Sequence, residues 1–598
     1  MKIAHGSTRR GRALTTLGAL SLLAALLVTG GPSGAAPTSL VAPQASAAQV
    51  AEAPNADALT APSNLPDVPA LPGPLSPAFS LGSSLGILTT RSSGTQSGVS
   101  GSGTEGQPLT ISGTKLPAHA SVAIEWSTSN ETWVTDVEPA TVNYLGTAVK
   151  SFNVTLGTAT TDAAGSFSYS TTVPVDFGGQ HTIYAVVRGQ EVAQGGFTTM
   201  RTFTITPTRG PIGTMIHVTY TGLGATAYTL GSALDWDNHF VGEFQAAWTR
   251  GTASFDIRAA GPVGRHVLET GAAVGTLYMN SDQSPIPYAN LLKASFTTTP
   301  GGRLPATQVD WPASVTPTVS QFATAASAGV DPSSTATASL STTSGPVGSR
   351  VTVTSTGLSG SGPDQLVWSS VVGSRVNCPN GATTCWAYAS TPLGSAPVTD
   401  GQLRATVTVP VTTSGEPGAG LGGWHVIQVV SGSAIVAQTP YYVKESVVVY
   451  RGAGGRVLSD GVAAAAPVPT DVTRPSLTQV AGVGRPTYTF TEGEEFTIAL
   501  NGVGWTEIDN TLAVDYDNSL VGYGCGFNSN GYTAIHLYAT GGPGVHLIDL
   551  YPELYTLNPD YATTAYGMLP VLSYARDFPG LALGYQVPAF RFAIRIVK

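Results

Sequence analysis

The sequence predicts an all-β chain of tandem immunoglobulin-like β-sandwich modules joined by flexible linkers, behind a signal peptide and a disordered spacer. Three observations lead there. Short runs rich in Val, Thr, Ile and Tyr alternate apolar with polar residues and are punctuated by Gly, the pattern of strands buried on one face. Long stretches of the chain repeat internally. Each repeat carries one aromatic and one late histidine at the places a sandwich uses for its core and its corner. Length sets the number of units, because 598 residues exceed what one core holds and suggest about four domains.

Composition narrows the function classes. Charged residues are 11% of the chain, against 71 Gly and 42 Pro, so neither a coiled coil nor a charged disordered tail fits. The net charge is −9 and becomes −13 once Lys2, Arg9, Arg10 and Arg12 are removed with a leader. That balance argues against nucleic acid, whose binding needs a basic footprint.

Those four basic residues precede an apolar run from Ala13 to Val28 and the small residues Gly34-Ala35-Ala36. They read as a signal peptide over residues 1–36, served by general secretion or, through Arg9-Arg10, by a twin-arginine route. No later stretch is apolar enough for a transmembrane helix. The expected location is outside the cell, with cell-wall association by binding alone.

Residues 37–104 are Ala/Pro/Ser/Gly-rich and read as a disordered linker; 301–338 and 451–485 read as two more linkers. The modules between them are 105–206, 207–300, 339–450 and 486–598. A shift of 280 residues lays 213–269 on 493–549 without a gap, so that Asp235-Trp236-Asp237-Asn238 falls on Asp515-Tyr516-Asp517-Asn518. Gly178-Gly179-x-His181-x-Ile183 likewise matches Gly422-Gly423-x-His425-x-Ile427. The order is therefore A, B, A′, B′. The predicted core aromatics are Trp126, Trp236, Trp368 and Tyr516, and His181, His266, His425 and His546 are predicted to make structural corner hydrogen bonds to upstream backbone.

Thr343-Ser344-Gly345-Pro346-Val347-Gly348-Ser349-Arg350-Val351-Thr352-Val353, followed by Gly357-Leu358, resembles the opening of IPT/TIG-type bacterial immunoglobulin-like domains. Arg209-Gly210-Pro211-Ile212-Gly213-Thr214, followed by Gly222-Leu223-Gly224, resembles it a second time. The resemblance implies the fold and extracellular adhesive or accessory roles, and it brings no catalytic residues.

The Asp-aromatic-Asp-Asn motif is the leading chemical candidate. With the aromatic facing inward, Asp235 and Asp237 would share the outer face with Asn238 in the turn, and Asp515, Asp517 and Asn518 would do the same. Glu269 and Asp549 could join them. Such carboxylates suit Ca²⁺, the one cofactor the sequence suggests; the competing reading is a turn with a solvated strand face. Cys378 and Cys385 bracket an Asn-Gly turn and read as a local disulfide, while Cys525 is expected as a buried small residue unless it pairs between chains. Tyrosines crowd the last module, from Tyr523 and Tyr532 to Tyr574 and Tyr585, either as strand packing or as a recognition surface.

No hydrolase elbow, zinc motif, phosphate loop or dinucleotide fingerprint occurs. The sequence thus points to a non-enzymatic binding, adhesive or structural protein whose partner is a cell-surface or extracellular protein or polysaccharide. The alternative is a carbohydrate-binding accessory protein or weak glycoside hydrolase acting through the last module. Self-association, with B against B′ within or between chains, is a further expectation.

Overall fold

The computed structural model describes residues 57–59, 84–89, 101–138, 141–225, 232–272, 292–301, 303–312, 329–374, 385–411, 418–452, 457–459, 477–479, 486–504, 511–526, 531–556 and 567–598. The expected signal peptide and the Cys378 end of the expected disulfide lie outside them.

Four modules share one plan, three strands facing five, and the five of the first and of the fourth run on into one 13-stranded sheet where Thr556 lies beside Tyr144. In the first, Ser84–Thr89, Pro108–Thr114 and Phe167–Thr172 face Gly101–Gly103, Gln190–Thr199, Gly179–Val187, Ser121–Glu138 and Thr141–Thr160. The second pairs Thr202–Thr206, Met215–Thr221 and Ala253–Arg258 with Arg209–Pro211, Leu292–Thr299, Gly264–Ala272, Ser232–Trp236 and His239–Phe244. The third opens at Thr337–Leu340 and the fourth at Ser446–Arg451, each in the same order. In every module the short second strand runs parallel to the last, as Arg209–Pro211 does beside Leu292–Thr299. All-β immunoglobulin-like sandwiches are therefore the architecture. The two-residue period puts the core where it belongs: Ile216, Val218 and Tyr220 are at most 1% exposed, and Phe496, Ile498 and Leu500 are fully buried at the duplicated positions.

The connections depart from the linker picture. Ser84–Thr89 lies inside 37–104 yet forms the first strand of the first module, pairing with Pro108–Thr114. Gln308–Asp310, inside 301–338, pairs with Ala589–Val597 of the fourth module. Val457–Ser459 pairs with Leu477–Gln479 inside 451–485. Short strands such as these are diluted when composition is averaged over long Ala/Pro/Ser/Gly-rich windows. The Ser446–Arg451 strand follows the last strand of the third module, Ala434–Lys444, after the single residue Glu445. A connection that short leaves no compositional mark, so the fourth module begins inside the stretch expected to close the third.

The two tight junctions are copies of each other. Gly178 N–H donates to the Leu223 carbonyl at 2.9 Å, and Gly422 N–H donates to Val503 at 3.0 Å. A Cβ on Gly178 would lie 1.6 Å from Gly222 O, and one on Gly422 would lie 1.8 Å from Gly502 O. Only glycine permits that approach. The duplicated unit is thus a pair of modules with its joint.

The pairs then pack on each other. One core cluster holds Leu234 and Phe244 of the second module together with Leu550, Leu572 and Phe592 of the fourth, and it includes Trp133 from the long hairpin of the first. Leu421 and Val426 of the third module belong to the same cluster.

Candidate functional site

Each predicted histidine sits on a strand of a five-stranded sheet, four residues after a carbonyl that its Nε2 faces. The pairs are His181 with Phe177 O and His425 with Leu421 O at 2.8 Å, His266 with Pro262 O at 2.8 Å, and His546 with Gly542 O at 2.9 Å. Each ring packs against its module's aromatic: Trp126–His181 centroids are 4.3 Å apart, Trp236–His266 5.1 Å, Trp368–His425 4.5 Å and Tyr516–His546 5.7 Å. The three tryptophans are buried. Tyr516 is half-buried, because its hydroxyl reaches the module edge and donates to Thr540 O at 2.6 Å.

The Nδ1 partners separate the two families. His266 Nδ1 meets Asp237 Oδ2 at 2.5 Å and His546 Nδ1 meets Asp517 Oδ2 at 2.6 Å. Burial by itself would lower His546, but the hydrogen bond and charge of Asp517, with the Gly542 carbonyl, outweigh it and the net shift is upward. His425 Nδ1 lies 3.1 Å from the Ser370 hydroxyl. Its burial drives it down to about 4, so it is a neutral ring donating from Nε2.

These contacts take the Asp-aromatic-Asp-Asn motif apart. Asp237 and Asn238 have φ of 50° and 68°, and Asp517 and Asn518 have 50° and 61°. Each pair forms the left-handed two-residue loop that a tight hairpin requires, for which Asp and Asn are suited. Asp237 Oδ1 also accepts from Val267 N at 2.9 Å, and Asp517 Oδ1 from Leu547 N at 2.8 Å. The second aspartate of each motif is therefore held by a histidine and a backbone N–H and does not join the first. Among the described residues no group of three or more His, Cys, Asp or Glu side chains is arranged to hold a metal ion. The outer-face grouping expected for Ca²⁺ is replaced by a turn with a histidine clamp.

Asp235 and Asp515 do lie on the outer faces of their five-stranded sheets, and here the copies diverge. Across neighbouring strands the second module reads Asp235–Glu269–Lys293 and the fourth reads Asp515–Asp549–Arg591. In the second, Lys293 bonds Glu269 at 2.9 Å near solvent. In the fourth, the second module covers the row. Arg258 Nε lies 2.9 Å from Asp549, and its Nη2 donates to the carbonyls of Ile548 and Phe592. Asn518 Nδ2 donates back to Arg258 O at 2.7 Å. Arg591 bridges Asp310, Asp549 and Tyr551. Asp515 is fully buried and, among the described residues, neither of its oxygens has a hydrogen-bond partner; burial, then the charge of Asp549, raises it well above the usual carboxylate range.

Buried acids also gather where the first, second and fourth modules meet. Burial pushes Glu243 up to about 8 and Asp577 up to about 8. Asp577 accepts from Trp133 Nε1 at 2.8 Å, and Glu243 O accepts from Leu572 N at 2.7 Å. At the first joint, burial raises Glu105 to about 7 while Gly222 N donates to it. Sequence reasoning missed these acids, Arg258 and Arg591, since nothing local distinguishes a buried charge from an exposed one. The repeated Gly178-Gly179 and Gly422-Gly423 were the visible trace of the joints.

Cys525 is exposed and unpaired, contrary to the burial expected for it, because it ends the edge strand Ser519–Cys525 with Val521 and Tyr523 exposed on either side of Gly522. Tyr532, Tyr551, Tyr574 and Tyr585 are buried and Tyr523 and Tyr538 are exposed, so packing takes most of the described tyrosines. No helix among the described residues is long and apolar enough to cross a membrane.

No family model matches the chain, and no curated protein matches it. Among solved structures, a Salmonella alpha-2-macroglobulin mutant overlaps 86% of this chain and 31% of its own at 8% identity and a TM-score of 0.16. The Escherichia coli adhesin FdeC overlaps 63% of this chain and 100% of its own at 13% identity and a TM-score of 0.14. Eight N-terminal Ig domains of Down Syndrome Cell Adhesion Molecule overlap 83% of this chain and 46% of their own at 11% identity and a TM-score of 0.16. The chain spans about a third of the macroglobulin's length, and likeness at this level carries no argument about function.

Proposed function

We propose that this chain is exported and acts without catalysis, as a binding or structural protein at the cell envelope or outside the cell, with modules of the IPT/TIG kind. The observation that carries the reading is the repeated glycine-to-carbonyl joint. Gly178 against Gly222 and Gly422 against Gly502 turn four small sandwiches into two stiff pairs, and a stiff frame that presents surfaces at fixed spacing serves binding. The electrostatics agree with it: the strongly shifted acids sit inside contacts between modules, where they are shut off from a substrate.

The test is co-sedimentation of the purified chain with envelopes of the producing cells, alongside an assay for reducing-sugar release. Retention without sugar release supports the reading. Release of sugars overturns it in favour of the hydrolase reading, and absence from the pellet overturns the envelope as its place of action.

A further inference from the structure

The five-stranded face of the first module carries a cleft beside the joint to the second. The cleft has a volume of about 610 Å³, within the ~300–1,000 Å³ usual for ligand sites. Its walls come from Ser121–Glu138, Thr141–Thr160 and Gly179–Val187, and Ala225 of the second module closes one end across the rigid joint.

The lining polar groups are set in place before any ligand arrives. Thr128, Ser129, Asn153 and His181 are each at least nine-tenths buried and contribute to its lining, Ser129 and Asn153 from the outer face and Thr128 and His181 from the side of Trp126. Thr128 donates to Asp176 at 2.7 Å, Asn153 Nδ2 reaches Glu125 at 3.4 Å, and His181 is fixed between the carbonyls of Ser127 and Phe177. Ordered hydroxyl and amide groups lose little freedom on binding. One half-buried ring, Tyr184, stands on the outer face beside Gln180, while Phe152 lies across from Thr128 and packs against the module's core.

The third module treats the same positions differently. Gln180 and Thr182 of the cleft strand correspond to Trp424 and Val426, and there the fourth module is seated on the face: Val426 is 2% exposed within the shared core. Tyr442, edge-on to Trp424, exchanges hydrogen bonds with the backbone of Gln586. One copy of this face is apolar and covered by the chain itself; the other is polar, concave and open.

The geometry points to the first-module cleft as a binding site for a neutral saccharide. Among the described residues no Asp, Glu, Lys or Arg lines it, which disfavours phosphates, nucleic acids and charged peptides. Hydroxyls and amides donate and accept at once, matching a ligand that presents both at each of its own hydroxyls. The Tyr184 ring provides flat apolar surface for the face of a sugar ring. This site rests on the reading of the chain as a binding protein and gives that reading a ligand class.

The test is calorimetric titration of the full chain with cellohexaose, laminarihexaose, mannohexaose and chitohexaose. The expected result is saturable binding of at least one, weakened at least tenfold by Tyr184→Ala and by Asn153→Ala. Gln180→Trp changes an exposed residue and is expected to block the cleft while melting like the parent, so loss of binding in it is not loss of fold. Absence of binding by the parent to all four probes overturns the proposal, as does undiminished binding in Gln180→Trp and Tyr184→Ala. Envelope co-sedimentation separates the two readings: if Gln180→Trp still pellets with envelopes, the binding function stands and the cleft is not its site.

Discussion

Arg258 of the second module and Asp549 of the fourth form an ion pair of 2.9 Å, with Arg258 2% and Asp549 0% exposed. The pair fixes one copy of the duplicated module on the other. Arg258→Ala leaves Asp549 beside Asp515 with Arg591 as the remaining cation, and removal of one partner from a buried pair costs about 3–5 kcal/mol. Arg258→Lys, which keeps the cation but loses the guanidinium's forked donors, is expected to destabilise less than Arg258→Met, which keeps volume but leaves the buried Asp549 with one cation fewer. Urea denaturation followed by tryptophan fluorescence checks the order.

At the joints, Gly178→Ala and Gly422→Ala each drive a methyl group into a backbone carbonyl that no rotamer change can relieve. Each is expected to cost about 1–3 kcal/mol and to speed hydrogen exchange at its own amide and at Leu223 or Val503. Gly362→Ala, which meets open space, is the control and is expected to stay within about 0.5 kcal/mol of the parent.

His425 and His546 respond to acid in opposite senses. His425 stays neutral down to about 4 while the unfolded chain takes up its proton near the ordinary ~6.5. The third module is therefore expected to lose stability as pH falls between those values, by up to about 3 kcal/mol. His546 is raised, so its contribution is complete below ~6.5 and fades as pH rises through the higher folded value. Imidazole resonances followed by NMR over pH 4–8 check both; a His546 signal titrating below the ordinary value contradicts the clamp by Asp517.

The acids between modules titrate in a third way. Glu243 and Asp577, held near 8, carry protons in the folded chain over a range where the unfolded chain has released them. Their stabilising effect is complete below about pH 4 and is lost as pH rises toward 8. Glu243→Gln and Asp577→Asn are expected to raise the melting temperature at pH 8 and to leave it nearly unchanged at pH 4, as differential scanning calorimetry over that range can record.

Native thiol labelling addresses the cysteines. Cys525 is exposed and is expected to react with a maleimide in the folded chain. One equivalent of label without reductant, and three after unfolding with reductant, is the result expected if Cys378 and Cys385 are joined.

Much of the fold was legible because the period of two and the 280-residue repeat are properties of the chain itself. Ile216, Val218 and Tyr220 declare a buried strand face, and the same pattern at Phe496, Ile498 and Leu500 declares its copy. The histidines could be placed because each stands at a fixed step after a glycine. The motif around Asp237 was harder, since alternation along a strand predicts where Asp235 points but fails at the next aspartate, where the left-handed turn begins. That B meets B′ was among the expectations and the joints left a trace in their glycines, but the residues that make the contact between B and B′ were not legible. Arg258 and its duplicate Tyr538 occupy matching strand ends, yet the first is buried against a second module and the second is 60% exposed. That difference depends on which face meets which, and hydropathy along a single strand does not record it.

The hydrogen bond from the Trp133 indole to Asp577 joins residues 444 positions apart. During synthesis, the hairpin that bears Trp133 is made early, but its mate appears only when the final turn of the polypeptide has been added. The amino-terminal sandwich has its own core without Trp133, so what waits on the carboxyl end is the docking of its hairpin, and a chain cut short before Asp577 leaves the indole N–H without that acceptor hundreds of residues upstream.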